Sequence, residues 1–252
     1  MNDPGSAAVT RPVPLSDDDT AQLLADVLDR ARRGGETAIV VFDLDSTLLD
    51  NRPRQARILR EYGAELGLTV LSTHHADHWQ GWDTRIAMRN AGMSEADIEA
   101  HAVPFKQYWW TRFFTSEYCV DDRLIAGADR YARAVAETGA TLCYVTGRHE
   151  PMRRGTVENF GALGLPVPGA RVELLMKPTL EEHDDTYKLR TYDILRRRGS
   201  VVAAFDNEPS HINGYRAAFP DALSVHLATD DSMRGVAVTP GVPSIRNFAS
   251  YR

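Results

Sequence analysis

Two aspartates, Asp43 and Asp45, lie one residue apart at the end of five apolar residues in the stretch AIVVFDLDSTLLD. Carboxylates this close repel each other, and removing them from water near a hydrophobic core makes ionisation of both less favourable. We therefore expect either a cation that balances the two charges or a chemical reaction in which the carboxylates take part. The pair marks the end of this apolar run as a candidate functional site.

Polar residues also follow two later apolar runs. The run at 141–146 ends in Thr146-Gly147-Arg148, and the run at 201–206 ends in Asp206-Asn207-Glu208. In open sheets of parallel strands, ligand-binding groups collect beyond the carboxyl ends of the strands. If the runs are parallel strands, these groups converge with the aspartate pair at one edge of the sheet.

The elements that would position these residues alternate along the chain. Near-continuous apolar runs predict five parallel strands, at 38–43, 141–146, 171–176, 201–206 and 222–227. Helical patterns lie between the later runs, at 123–138, 151–161, 187–198 and 209–219. An earlier helix is expected to begin after Ser16, with Asp19 completing the N-terminal cap. This alternation predicts an α/β fold with a Rossmann-like, three-layer core.

Residues 51–122 interrupt the alternation and predict a helical insert. They contain all four tryptophans and no parallel-strand run, and Pro104 in their second helical pattern predicts a break or a new helix start. The core is therefore expected to consist of residues 16–50 and 123–252. Residues 1–15, rich in proline, alanine and glycine, are expected to form a flexible lead-in.

Composition excludes several classes of protein. The net charge of −6 over 252 residues disfavours a general nucleic-acid binder, which usually carries a basic face. The two cysteines form no disulfide or metal-binding pattern, and Cys143 is expected to be buried in a strand. Without a signal peptide or a membrane-length apolar run, the chain is expected to be cytoplasmic and to have no membrane partner. The oligomeric state is left open.

The histidines at 74, 75 and 78 suggest two interpretations. His74 and His78 are one helical turn apart, as zinc ligands often are, but no cysteine or carboxylate completes an evident site. We expect these side chains to lie on a polar face of the insert.

The tryptophans also suggest two roles, because aromatic side chains both fill cores and stack on ligands. Trp109 and Trp110 are predicted to lie in the core of the insert. For Trp79 and Trp82 the choice between core packing and substrate stacking is left open.

Four motifs, in order, resemble those of the haloacid dehalogenase-like superfamily of hydrolases. They are FDLDST at 42–47, YVTGR at 144–148, a lysine ahead of the fourth strand, and AFDNE at 204–208. The resemblance covers residues 37 to about 228, and the helical insert lies where that superfamily places its first type of cap. Dehalogenases of this superfamily lack an acid at the position of Asp45, and its membrane ATPases carry threonine there. The resemblance therefore implies a phosphomonoester hydrolase.

The resemblance implies a Mg²⁺ site and a covalent mechanism. The metal would be held by the carboxylates of Asp43 and Asp206 and the backbone carbonyl of Asp45, while Asn207 or Glu208 would reach metal-bound water. Asp43 would attack phosphorus and form an aspartyl-phosphate. Asp45 would protonate the leaving alkoxide and later activate water.

Further residues are expected around the phosphate. Thr146, the Gly147 N–H and a lysine would bind the phosphoryl oxygens. Ser46, Thr47 and Arg148 complete the phosphate-binding set. Of these residues, Thr47 is expected to fix the loop after Asp45. Arg148 is expected to pair with a nearby acid or carbonyl rather than with substrate.

Two lysines compete for the phosphate-binding role. Lys188 opens the helix before the fourth strand, and Lys177 ends the third strand. Lys188 is favoured, but the acidic run between them lengthens the loop and weakens any choice based on spacing.

These inferences predict a Mg²⁺-dependent phosphatase that acts on a small phosphorylated metabolite. Two alternatives remain: a phosphotransferase or mutase on the same scaffold, and a non-catalytic binding module that retains the fold.

Overall fold

The computed structural model describes residues 11–251, so residues 1–10 of the expected flexible lead-in lie outside the described range. Within it, the strands are β1 (Ala38–Phe42), β2 (Leu49–Asp50), β3 (Arg123–Leu124), β4 (Thr141–His149), β5 (Val172–Lys177), β6 (Ser200–Asp206), β7 (Leu223–Leu227) and β8 (Ser244–Ile245). The α-helices are α1 (Asp17–Gly34), α2 (Arg52–Leu66), α3 (Thr84–Asn90), α4 (Glu95–Phe113), α5 (Ala128–Ala136), α6 (Arg153–Leu163), α7 (Asp184–Arg198) and α8 (Pro209–Ala218). None of the helices in this part of the chain is long and apolar enough to cross a membrane.

Six of these strands form one parallel sheet in the order β5-β4-β1-β6-β7-β8. The strand that carries the aspartate pair, β1, lies between β4 and β6. The predicted α/β fold is therefore confirmed, and the three polar strand ends lie on adjacent strands.

Helices cover both faces of the sheet, as the apolar strands require. Ala38, Val40 and Phe42 of β1 pack in one hydrophobic cluster with α1, α5 and α6. The alternate residues Ile39 and Val41 pack in a second cluster with α7 and α8. Because neighbouring residues of a strand point to opposite faces, this arrangement gives the three-layer core.

Helices α2, α3 and α4 occupy residues 51–122, together with three short 3₁₀ turns. They enclose a separate hydrophobic cluster that includes Ile58, Leu59, Trp79 and Phe105. The chain enters and leaves this insert side by side, because β2 and β3 pair antiparallel, with Leu49 opposite Leu124 and Asp50 opposite Arg123. These short strands at the two crossings were not predicted.

The prediction of a break at Pro104 is wrong, because α4 runs through it without interruption. A proline removes only one helical hydrogen bond, here the bond to the carbonyl of Ala100. Phe105 and Trp109, which follow it, are buried in the core of the insert. Their packing keeps the residues before and after Pro104 in one helix.

The predicted polar face for the histidines is wrong for His74, which is fully buried and packs against His78 and Trp79. Across residues 11–251, no group of three histidine, cysteine or acidic side chains is arranged to bind a metal. The sequence pattern did not reveal the burial of His74, because its environment depends on how the irregular segment between α2 and α3 folds back.

The tryptophans divide into buried and exposed side chains. Trp79 and Trp109 are buried, whereas Trp110 is 49% exposed and Trp82 is 37% exposed. The prediction of Trp110 as a core residue is therefore wrong. Adjacent residues of a helix point in different directions, so of these two tryptophans of α4 only Trp109 faces the core of the insert.

Candidate active site

The carboxyl ends of β1, β4 and β6 open into a cavity of about 460 Å³. Eight of the predicted site residues line it: Asp43, Asp45, Thr146, Gly147, Arg148, Lys177, Asp206 and Asn207. Aromatic side chains of the insert form part of its wall. The cavity therefore lies between the predicted catalytic groups and the insert.

Lys188 provides the cation beside Asp43, the first member of the aspartate pair. Its ammonium group, buried beneath the cavity, donates to Asp43 Oδ1 at 2.6 Å and to Asp206 Oδ2 at 2.8 Å. Burial alone would lower the pKa of Lys188, but the two carboxylates raise it well above its usual value. Lys188 is therefore charged and holds carboxylates from two distant segments side by side.

The two carboxylates on Lys188 have different environments. Burial raises the pKa of Asp43, and the charge of Lys188 offsets this only in part. For Asp206, Lys188 and His211 outweigh burial and lower the pKa. The His211 Nδ1 atom lies 3.5 Å from Asp206 Oδ1, and the sequence analysis did not identify this histidine.

Two arginines hold the Asp45 carboxylate. Arg148 donates to it from Nε at 2.8 Å and from Nη2 at 2.7 Å, and Arg54 donates from Nη2 at 2.9 Å. Burial would raise the pKa of Asp45, but the positive charges of Arg148 and Arg54 lower it well below its usual range. Asp45 is therefore ionised in this arrangement.

Asp122 completes a network of four charged side chains, which we call the Arg54–Asp122 network: Arg54, Asp122, Asp45 and Arg148. The Asp122 carboxylate lies 2.9 Å from Arg54 Nε and 2.6 Å from Arg148 Nη2. Arg54, Asp122 and Arg148 are all buried. The network links Asp45 to both crossings between core and insert, because Arg54 lies in the first turn of α2 and Asp122 precedes β3.

Sequence reasoning did not find Arg54 or Asp122. Both are charged residues at the ends of the predicted insert, and that position was the available signal. Their partners lie far away in the sequence, so the pairing becomes visible only in the fold.

Thr47 connects the loop after β1 to the loop after β6. Its hydroxyl donates to Asn207 Oδ1 and accepts from the Asn207 backbone N–H, both at 3.1 Å. The Asn207 amide nitrogen donates to the carbonyl of Asp230 at 2.6 Å. Ser46 adopts a left-handed conformation with φ of 61° and turns the chain between Asp45 and Thr47. Neither Ser46 nor Thr47 lines the cavity.

The end of β4 packs closely against the start of α7. Thr146 is buried, and its hydroxyl accepts from the Arg148 backbone N–H at 3.1 Å. A Cβ atom at Gly147 would lie 2.6 Å from Asp184 Oδ2, too close for any side chain without movement of this carboxylate. Glycine is therefore the residue that fits between β4 and the start of α7.

Lys177 contacts the loop that follows β5 rather than the aspartates. Its ammonium group donates to Asp184 Oδ1 at 2.7 Å and to the carbonyl of Glu182 at 2.9 Å. Of the two candidate lysines, Lys188 therefore contacts the carboxylates, and Lys177 anchors the loop at the cavity wall.

The donor set suits Mg²⁺. Asp43 and Asp206 supply hard carboxylate oxygens next to each other. Within residues 11–251, Asp43 Oδ2 accepts no hydrogen bond, whereas Asp206 Oδ1 accepts from the Glu208 N–H and Asp206 Oδ2 accepts from Lys188. Mg²⁺ is commonly held by one or two carboxylates and keeps several waters, so a third acidic ligand is not required. The role of Asn207 at such a site stays a prediction, because its amide oxygen already accepts from Thr47.

No protein-family model and no curated protein matches the sequence. Solved structures do match. Protein Tyrosine Kinase A from Mycobacterium tuberculosis is 18% identical, with 86% of this chain and 97% of that chain covered and a TM-score of 0.54. A Clostridium difficile protein with a provisional assignment as a phosphatase is 11% identical, with 84% and 95% covered and a TM-score of 0.53.

A class C acid phosphatase from Bacillus anthracis, with tungstate bound, is 16% identical and has a TM-score of 0.45. The match covers 76% of this chain and 60% of that phosphatase. Haloacid dehalogenase-like hydrolases are among the other similar structures. The two structures with TM-scores above 0.5 are 11% and 18% identical to this chain, so the likeness shows a shared fold. Membership of the haloacid dehalogenase-like superfamily stays a prediction from the four motifs.

Proposed function

We propose that the protein is a Mg²⁺-dependent phosphatase that hydrolyses phosphomonoesters through an aspartyl-phosphate on Asp43. The contact of Lys188 with both Asp43 and Asp206 is the observation that carries this proposal. It joins a nucleophile, a metal-binding acid and a phosphate-binding cation within one site, and Asp45 lies two residues from the nucleophile.

The reaction would proceed in two displacements. In the first, an Asp43 carboxylate oxygen bonds to phosphorus, the bond from phosphorus to the ester oxygen breaks, and that oxygen takes a proton from Asp45. In the second, water attacks the phosphorus of the aspartyl-phosphate and gives a proton to Asp45. The products are the alcohol and inorganic phosphate, and Asp43 is regenerated.

Positive and polar groups would stabilise the charge that builds on the phosphoryl oxygens. When bound by Asp43 and Asp206, Mg²⁺ would offset the negative charges of the carboxylates and the phosphate. The Lys188 ammonium, the Thr146 hydroxyl and the Gly147 N–H would contact the oxygens directly.

The state of Asp45 supports its role as the base of the second step. As an ionised carboxylate Asp45 can accept a proton, but Arg54 and Arg148 lower its pKa and make it a weak base while both contacts are in place. To donate one in the first step, it has to lose at least part of this arginine contact. Because Arg54 belongs to the insert, we propose that movement of the insert changes the protonation of Asp45 during turnover.

The insert would act as a cap over the bound ester. A cavity of about 460 Å³ is at the lower end of the range for small-molecule sites, about 300–1,000 Å³. Such a space suits a small phosphorylated metabolite, and closure of the insert over the ester would exclude bulk water from the reacting groups.

The test is phosphate release from a panel of small phosphomonoesters by the full chain with Mg²⁺. We expect turnover that EDTA abolishes and added Mg²⁺ restores, and we expect Asp43→Asn to reduce turnover to background while circular dichroism shows an intact fold. Near-normal turnover in Asp43→Asn would contradict the assignment of the nucleophile. Transfer to an added alcohol in excess of free phosphate would support a phosphotransferase instead.

A further inference from the structure

Five aromatic side chains of the insert form one wall of the cavity, which we call the aromatic wall: Trp82, Trp109, Trp110, Phe113 and Phe114. They pack on one another, with ring centroids 4.5 Å apart for Trp109 and Phe113 and 4.9 Å apart for Trp110 and Phe114. The wall is therefore a continuous aromatic surface.

Two members of the wall are not needed to fill the core of the insert. Trp109 and Phe113 belong to its buried cluster, whereas Trp82 and Trp110 do not. Trp82 and Trp110 flank Trp109, with ring centroids 6.5 Å and 6.3 Å from it, and they remain 37% and 49% exposed. Large exposed aromatic faces inside a cavity are typical of ligand contact.

The wall lies on the side of the site where the alcohol group would leave. The Arg54 guanidinium stacks 4.0 Å from the centroid of the Phe113 ring and donates to Asp45 at 2.9 Å. Under the proposed function, Asp45 protonates the ester oxygen. The ester oxygen of the alcohol part therefore lies beside Asp45, and the rest of the alcohol part lies next to the aromatic wall.

We propose that the alcohol part of the substrate carries a flat aromatic ring, which packs against the exposed faces of Trp82 and Trp110. This inference rests on the proposed function and names its substrate class. Aromatic pairs in offset or edge-to-face geometry are favoured beyond the area they bury. That gain corresponds to a preference of about two- to tenfold over a saturated ring of similar size.

The test compares benzyl phosphate with cyclohexylmethyl phosphate. In both esters the leaving oxygen is bonded to a CH₂ group, so the chemical steps are similar. The two rings differ mainly in flatness and aromaticity. We expect kcat/KM to be about two- to tenfold higher for benzyl phosphate. Trp110→Leu and Trp82→Leu keep an apolar side chain but remove the indole, so each is expected to move this ratio towards one, mainly by raising KM for benzyl phosphate.

Tyr108→Leu is the matched control, because Tyr108 is an aromatic residue of the same helix α4 that does not line the cavity. It is expected to keep the wild-type ratio. A wild-type ratio of one or less, or an unchanged ratio in both tryptophan variants, would overturn the proposal. Glucose 6-phosphate serves as a third substrate, and a higher kcat/KM for it than for benzyl phosphate would also overturn the aromatic assignment.

Failure of this inference differs from failure of the proposed function. If other phosphomonoesters are hydrolysed in an Asp43-dependent reaction but benzyl phosphate is not preferred, only the aromatic substrate class is wrong. If no phosphomonoester releases phosphate, the phosphatase proposal is wrong and the substrate class falls with it.

Discussion

A single ammonium group, that of Lys188, lies between two buried carboxylates beneath the cavity. Under the proposed function, we expect Lys188→Met to lower phosphatase activity by about 10²–10³-fold, because it removes the cation proposed to bind the phosphoryl oxygens. The variant also leaves Asp43 without its cation and Asp206 with His211 alone, which is expected to cost about 3–5 kcal/mol in the free energy of unfolding. Phosphate release and urea denaturation measure the two effects.

Lys177→Met is the matched control at the residue scale. Its ammonium contacts Asp184, a partly exposed carboxylate, and backbone carbonyls of a surface loop. The variant is therefore expected to lose less stability and less activity than Lys188→Met. Activity lost only in the Lys177 variant would show that the phosphate-binding lysine has been assigned to the wrong residue.

Residues at the ends of apolar runs could be assigned from the sequence, because a parallel sheet brings its carboxyl ends together. Asp43, Thr146 and Asp206 were identified in this way, and the structure brings them to one cavity. The two lysines could not be separated with certainty, because the loop between β5 and α7 sets which one points towards the aspartates. The contacts of Arg54 and Asp122 depend on tertiary geometry that no local pattern encodes.

At the scale of elements, the Arg54–Asp122 network connects the start of α2, the residue before β3 and the loop after β1. We expect Arg54→Met and Asp122→Asn each to lower the free energy of unfolding by about 3–5 kcal/mol, because each leaves an uncompensated buried charge. The double variant retains the balanced pair of Arg148 and Asp45. The double variant is therefore expected to lose much less unfolding free energy than the two single variants lose in sum.

Urea denaturation of the four proteins in this double-mutant cycle measures the coupling. Arg57 and Glu61, a more exposed pair within α2, provide the control cycle. Their coupling is expected to stay below about 1 kcal/mol. Additive losses for Arg54 and Asp122 would indicate that the two side chains do not act on each other.

Elements with long patterns were predictable, and elements set by a few contacts were not. The five longer strands of the sheet followed from their apolar runs, and the helix after Ser16 followed from its cap, whose side chain accepts from the Asp19 N–H. The two-residue strands β2, β3 and β8 are too short to leave a pattern. The continuity of α4 across Pro104 depends on packing within the insert.

At the scale of the whole molecule, a buried neutral histidine makes stability depend on pH. Burial, with smaller contributions from His78 and Arg60, lowers the pKa of His74 to about 3, against 6.5 for an ordinary histidine. The folded state therefore binds fewer protons at this site than the unfolded state. The free energy of unfolding is expected to fall as the pH drops below about 6.5, with a contribution from His74 of about 2 kcal/mol between pH 7 and pH 5.

His74→Leu is expected to remove this contribution, so the stability difference between variant and wild type should shift in favour of the variant as the pH falls. Chemical denaturation of both proteins at pH 7 and pH 5 measures this difference in the free energy of unfolding. His75→Leu, at an exposed neighbour, is the control and should leave the pH dependence unchanged. Equal pH dependence in wild type and His74→Leu would mean that His74 is protonated in the folded protein.

The arrangement of the whole molecule was predictable only in part. Alternating strands and helices identify the α/β fold, and the change of pattern at 51–122 identifies a helical segment with its own core. How that segment lies over the cavity is determined by contacts between distant parts of the chain. Trp110 was wrongly predicted to be buried and His74 to lie on a polar face, because both environments depend on packing within the insert.

The antiparallel pairing of β2 with β3 gives the insert two closely spaced ends. With Asp50 opposite Arg123, the two ends of the core already stand at the separation that a tight hairpin turn spans. A shortened chain of this kind would lose Arg54 and Asp122 together and keep Arg148 against Asp45, so no lone charge would be stranded. Protein engineering can therefore exchange the insert as one cassette, while Asp43 and Asp206, at the ends of β1 and β6, stay in the core.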